Sequence, residues 1–243
     1  MNEILYKRLC EAVPADRVLI NEPMKKHTTF RIGGPADYFV IPVSWEEAEL
    51  VISICKEFQT PYYIIGNGSN LLVSDQGYRG VIIQLYKEMS QVEVEGNAIR
   101  AQAGASLARI AGAALEAGLT GFEFAAGIPG TLGGACVMNA GAYGGEMKDI
   151  LQKVTVLTPD GTVQTLSVEE LELSYRHSII PEKGYLVISA VLKLQPGNAD
   201  EIQSIMDDLK EKRVSKQPLE YPSAGSTFKR PEGYFAGKLI QDA

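Results

Sequence analysis

Apolar residues recur along this chain with two distinct periods. Between residues 44 and 57 they fall three and four apart. Ala48, Val51, Ile52 and Cys55 make one stripe, Ser44 stands where a helix N-cap belongs, and Glu47 completes a capping box with it. Leu107, Ile110, Ala111, Ala114 and Leu115 repeat the pattern after Ser106, and Gly118 supplies the stop. The opening MNEILYKRLCEAV reads as a short amphipathic helix. Elsewhere the apolar runs are short and rich in β-branched residues. Strands are predicted at 38–42, 62–65, 81–85, 92–95, 99–103, 154–158, 162–166 and 185–194. Gly96-Asn97 and Pro159-Asp160-Gly161 supply hairpin turns between neighbouring runs. Strands dominate, with helices between them in no regular alternation, which predicts α+β rather than a doubly wound sheet.

The pattern changes after Pro196-Gly197. A helix is expected from about Asp200, with Ile202, Ile205, Met206 and Leu209 on one face and KEKR closing its polar side, where cations suit the helix dipole. We therefore place a domain boundary there. Residues 1–197 form one domain of two lobes meeting near residue 85, and residues 198–243 begin a smaller α+β domain. In AGKLIQDA, Ala236, Leu239, Ile240 and Ala243 open a further amphipathic helix without a stop signal. This is the pattern expected of either a frayed tail or a chain cut inside its second domain.

Composition narrows the function. Of 243 residues, 45% are hydrophobic and 22% charged, enough to bury a core. A formal charge of −7 argues against nucleic acid as the partner. No apolar run is long enough to span a bilayer, and the N-terminus lacks a secretion signal. The expectation is a cytoplasmic monomer that does not engage membranes. Cys10, Cys55 and Cys136 are odd in number and widely spaced, so they read as reduced thiols rather than a disulfide framework or metal site.

Two stretches are dense in glycine and carry no basic side chain: GNGSN at 66–70 and GIPGTLGGACVMNAGAYGG at 127–145. Glycine is entropically costly to order, so such a run needs a reason. Unobstructed successive N–H groups make an anion-binding concavity that needs no lysine. Asn70 and Asn139 add side chains suited to ribityl or ring polar atoms. Tight turns and close strand crossings explain either loop alone, but two in one domain point to a pyrophosphate ligand. Neither is a P-loop, because no Gly-Lys-Ser/Thr follows. GNGSNL also lacks the third glycine of a Rossmann fingerprint. The ligand would be dinucleotide-like, on a different fold.

Five segments in one order make this more specific: HTTFRIGGPADYFVIP (27–42), GNGSNLLVSD (66–75), GIPGTLGGACVMNAGAYGGEM (127–147), SYRHS (174–178) and SAGSTFKRP (223–231). Together, over nearly the whole chain, they resemble the UDP-N-acetylenolpyruvoylglucosamine reductase family. The resemblance implies an FAD-binding domain of the p-cresol methylhydroxylase type followed by a substrate domain. FAD would be held non-covalently by Gly66, Asn67, Gly68, Ser69, Asn70, Gly127, Ile128, Pro129, Gly130, Thr131, Gly133, Gly134, Asn139, Gly141 and Ala142. The reaction implied passes a hydride from NADPH to FAD and then to the enolpyruvyl double bond of UDP-GlcNAc-enolpyruvate, giving UDP-N-acetylmuramate for peptidoglycan.

Hydride addition to an alkene conjugated with a carboxylate builds charge on that carboxylate, where a fixed cation counts most. Arg176 matches the family's arginine in that role, and Ser226 its proton donor. Arg213, Lys216 and Lys229 match positions near the substrate, while Arg230 stands where many relatives carry asparagine. The short stretch from His177 to Tyr185 resembles the class without a tyrosine-bearing substrate loop. His27 and His177 read as structural or exposed. The family's glutamate near the C-terminus has no match here, since Glu169, Glu170 and Glu232 lie outside its motif. On that reading FAD binding persists if the first domain folds independently, and turnover is severely reduced. Two competing readings are another oxidase or dehydrogenase on the same scaffold acting on a sugar or alcohol, for which Cys136 is the only nearby thiol that could tether a flavin, and an inactive or regulatory nucleotide-binding fragment.

Overall fold

The computed structural model describes residues 2–243. Helix α1 (Glu3–Ala12) starts at Asn2, whose side chain caps the amides of Ile4 and Leu5, and it buries Leu5 and Leu9. Strands β1 (Val18–Pro23) and β2 (Pro35–Val40) pair antiparallel. Helix α2 (Trp45–Glu57) follows and buries Ala48, Val51, Ile52, Ile54 and Cys55. Strands β3 (Tyr62–Ile65) and β4 (Tyr78–Gln84) complete a first sheet in the order β1-β2-β4-β3, with β4 parallel to both of its neighbours.

The capping box at Ser44 forms only in part. Ser44 Oγ accepts from the Glu47 amide, but the Glu47 carboxylate accepts from the Val43 amide and from both terminal nitrogens of Arg17, at 2.7 and 2.9 Å. The pairing outcompetes the local motif because a bidentate guanidinium contact is charge-assisted. Hydrogen bonding from Arg17 holds the Glu47 carboxyl below its ordinary range.

The second sheet is antiparallel. It uses β5 (Val92–Glu95) and β6 (Ala98–Gln102), joined at Gly96 (φ +60°). Helix α3 (Leu107–Glu116) is capped by Ser106 and buries Leu107, Ile110, Ala111 and Ala114, while Leu115 is half-buried. A two-residue strand, β7 (Leu119–Thr120), precedes the second glycine-rich stretch. That stretch contains helix α4 (Leu132–Val137) and a small hairpin, β8 (Gly141–Ala142) with β9 (Gly145–Glu146). Strands β10 (Leu151–Leu157) and β11 (Val163–Ser167), helix α5 (Ile179–Glu182) and strand β12 (Leu186–Lys193) follow, giving the order β11-β10-β12-β6-β5. Strand β13 (Gln195–Pro196) returns to β7. One apolar core runs through both sheets, from Leu5 through Val81 and Leu132 to Leu194, and a smaller cluster of Met24, Ala36, Phe39, Ile65 and Ile82 lies on the other side of the first sheet.

Past residue 197 the packing thins. Helix α6 (Ala199–Lys216) begins at the Asn198 cap, but of its expected apolar face only Ile202 is buried; Ile205 is 45% exposed. The apolar stripe thus exceeds the surface it is packed on. Helix α7 (Ala236–Asp242) is exposed, as are Phe228, Tyr234 and Phe235 before it. No described helix is long and apolar enough to cross a membrane.

Candidate functional site: two glycine loops and an arginine turn

Strand β3 delivers Gly66 to Asn70 at the end of the first sheet, where the loop meets the start of the second glycine stretch. A Cβ on Gly66 would stand 2.2 Å from Thr131 Oγ1, Asn67 Nδ2 donates to the Pro129 carbonyl at 3.2 Å, and the place of a Cβ on Gly130 lies 4.0 Å from Ser69 Oγ. Gly68 adopts φ +63° and presses against His27, whose carbonyl oxygen a Cβ would meet at 2.0 Å. Only glycine satisfies both demands. Buried Gln84 fixes the loop from below by donating to the Gly66 carbonyl. The amides of Asn67, Gly68, Ser69 and Asn70 donate to no protein acceptor among the described residues. Four successive free N–H groups without a charged side chain between them fit an anion such as a diphosphate. The residues present therefore fit the phosphate portion of a dinucleotide.

The second stretch behaves differently. Thr131 caps α4, accepting from the Gly134 amide at 3.4 Å. Gly133 packs on Ala103, with its amide bonded to the Ala103 carbonyl at 2.8 Å and a Cβ position 3.0 Å from the Ala103 methyl. Gly141 and Gly145 are closed in by Glu146 and Phe124, leaving no room for a Cβ. At Gly130 and Gly134 nothing of the protein comes nearer than 3.7 Å to an added Cβ, and Gly134 is exposed. These two glycines are not required by the protein's own packing. Arg213 of α6 reaches this stretch, its Cδ lying 3.4 Å from the Cβ position of Gly127.

Asn139 corrects the expectation from sequence. Its side chain is fully buried: Nδ2 donates to Glu146 at 2.8 Å and to the Ser174 carbonyl at 3.1 Å, while Oδ1 accepts from the Lys148 amide. No polar atom of that side chain is left to face a ribityl chain or ring. Its task is to lock the loop to the SYRHS turn.

That turn is tight. Ser174 and His177 exchange both main-chain bonds, and Arg176 sits between them at φ +57°. A left-handed arginine costs on the order of 1 kcal/mol and persists only where its surroundings hold it. Arg176 Nη2 donates to the Gly141 carbonyl at 3.0 Å and Nη1 to that of Asn139 at 3.5 Å, with the guanidinium over the Tyr175 ring. A guanidinium has five N–H donors, so donors remain for a ligand carboxylate. Ser178 anchors the turn by donating to the Val137 carbonyl of α4.

Ser226 is exposed on the segment after α6, which is tied down at Ser223 to Thr29 and at Arg230 to Tyr175. The segment thus reaches Tyr175, the residue before Arg176, at its Arg230 end. Lys216 and Lys229 are exposed. The Arg230 side chain turns away to the Tyr234 carbonyl and the Phe235 ring. His27 stacks on Phe39 and pairs with Glu22 at 3.0 Å, and His177 lies 3.7 Å from Glu182. Cys136 is fully buried and burial pushes its thiol up to about 12, which removes it as a flavin tether. An open depression of about 420 Å³ elsewhere presents Asp149, Glu169 and Glu172 against a single lysine, Lys148, the wrong sign for a diphosphate. The described residues hold no group of three or more His, Cys, Asp or Glu that could bind a metal. Sequence reasoning overlooked Thr29 and Gln84, which touch the first loop from outside the glycine runs, and α4, whose Thr131 cap and Leu132–Ala135–Cys136 stripe were legible but masked by two glycines.

Residues 36–167, more than half of the chain, match the FAD binding domain family. A 4-ethylphenol oxidase from Gulosibacter chungangensis, 18% identical with a TM-score of 0.61 over 90% of this chain and 49% of its own, shares the fold. The fold is thus that of a class of flavoprotein oxidoreductases. Within it the match is closer: the UDP-N-acetylenolpyruvoylglucosamine reductase of Agathobacter rectalis is 56% identical over 100% of this chain and 81% of its own length. The crystal structure of the corresponding Thermus caldophilus enzyme superimposes with a TM-score of 0.79 at 36% identity, over 93% of this chain and 78% of that one. The chain belongs to the UDP-N-acetylenolpyruvoylglucosamine reductase family.

Proposed function

We propose that this chain reduces the enolpyruvyl group of UDP-GlcNAc-enolpyruvate to give UDP-N-acetylmuramate, with FAD bound non-covalently and NADPH as reductant. One observation carries the reading: in a chain of this family, the four amides from Asn67 to Asn70 lack protein acceptors where a dinucleotide's phosphates would lie. When bound, the flavin supplies the hydride, taken from NADPH, to one alkene carbon; the other carbon needs a proton.

The chain's own residues divide the rest. Arg176 is held rigidly on two carbonyls, so its remaining donors are preorganised for the substrate carboxylate as charge grows there. Ser226 gives the proton. Arg213, beside Gly127, and Lys216, one turn further along α6, would receive the substrate's diphosphate together with Lys229. The domain division at residue 197 fits this allocation, with the flavin site before it and most of the substrate contacts after it.

Reconstitution tests the reading. Protein loaded with FAD should show a structured flavin spectrum, be bleached by NADPH without oxygen, and regain colour on addition of UDP-GlcNAc-enolpyruvate. Failure to take up FAD, or recovery of colour with no dependence on that substrate, would refute it.

A further inference from the structure

The segment that carries Ser226 is held by few contacts. Ser226, Phe228 and Lys229 are exposed, so packing does not fix its course. What does fix it is a pair of ties. At one end Thr29 Oγ1 donates to the Ser223 carbonyl at 2.6 Å and the Ser223 amide donates to the Thr29 carbonyl at 3.2 Å. At the other the Arg230 amide donates to Tyr175 Oη at 3.2 Å, next to Arg176. Thr29 also faces the first glycine loop, its amide donating to the Gly68 carbonyl at 3.2 Å. One residue therefore joins the loop of free amides to the strand of chain that bears the serine.

We propose that Thr29 is a positioning residue for the reduction, its hydroxyl holding residues 223–230 so that Ser226 stays in place between its ties to Thr29 and to Tyr175, the neighbour of Arg176. The proposal rests on the role given to Ser226 above. Ser226 lies three positions past the tie at Ser223, a reach of roughly 10 Å, so loosening that tie to its remaining main-chain bond widens the serine's excursions on the scale of ångströms. Displacements of about 1 Å already matter for proton transfer.

Thr29→Val removes the hydroxyl at nearly constant volume and keeps both main-chain bonds of residue 29, to the Gly68 carbonyl and from the Ser223 amide. In the FAD-loaded chain, Thr29→Val should raise amide hydrogen exchange at Ser223, Gly225 and Arg230, the hydrogen-bonded amides of the segment, about fivefold, the worth of one net hydrogen bond. It should slow reoxidation of the NADPH-reduced protein by UDP-GlcNAc-enolpyruvate by at least as much. FAD affinity should stay within about twofold, because the first loop is untouched, and Thr29→Ser should restore both exchange and reoxidation. Unchanged exchange in Thr29→Val, or a Thr29→Ser variant as impaired as Thr29→Val, overturns the proposal. So does a loss of FAD affinity in step with the exchange, which would mark a merely structural residue. Ser226→Ala, run alongside, separates this from the reading beneath it. Wild-type reoxidation by Ser226→Ala defeats the serine's role, whereas the exchange data judge the tie alone.

Discussion

The two glycine-rich stretches look alike in sequence and differ in what glycine does there. In residues 66–70 the missing side chains expose a run of amides, and Gly68 is forced by a left-handed backbone and the His27 carbonyl. In residues 127–145 most glycines admit other parts of the protein: Ala103 against Gly133, Glu146 against Gly141, Phe124 against Gly145. Gly130 and Gly134 are left without such a neighbour, and so is Gly144, whose φ of +93° calls for glycine on its own account. Glycine density alone therefore does not mark a ligand site. A glycine that the fold itself does not need does.

The largest test of that contrast is Gly68→Ala. A left-handed alanine overlapping a carbonyl should cost ~3 kcal/mol, near 10 °C in Tm for a chain of this size, and abolish FAD uptake. Gly133→Ala should be milder, a net loss of about 1 kcal/mol by thermal or urea unfolding, since helix propensity partly offsets the overlap with Ala103. Gly134→Ala should separate the two quantities. Unfolding of the FAD-free protein should become harder by about 0.5 kcal/mol, while FAD affinity measured by fluorescence quenching falls roughly tenfold. Equal FAD affinity in Gly134→Ala would erase the distinction between the loops. The smallest effect is expected at Cys136 on α4. With its thiol pushed up to about 12 by burial, as is that of Cys55, neither should react with a maleimide at pH 7 in the folded protein, leaving half-exposed Cys10 as the first site labelled.

Much of the fold was legible because its signals are local. Ser106 and Gly118 bound α3, Gly96 turns the β5–β6 hairpin, and the stripe of α2 is buried as its spacing implies. What the pattern could not give was competition over distance. Glu47 leaves the Ser44 box because Arg17, thirty residues earlier, offers a better partner. The stripe on α6 promised a covered face, but how much of it is covered depends on neighbours that periodicity cannot see. The site divides the same way. The amides of 66–70 follow from glycine and asparagine in a row, and Arg176 was singled out by the SYRHS motif, though not the left-handed turn that holds it. The burial of Asn139 does not, since Glu146, Ser174 and Lys148 meet it only in three dimensions. Thr29 is hidden for the same reason: nothing around it in the sequence hints that Ser223, 194 residues away, closes on its hydroxyl.

The free amides of residues 67–70 also set how the cofactor should respond to its medium. Peptide dipoles bring no counterions to be displaced, and their grip depends on direction rather than on net charge. Raising sodium chloride from low to near molar concentration, which shortens the Debye length from about 30 to about 3 Å, should hardly alter how tightly the phosphates are held. A site built from lysines would let go under the same treatment.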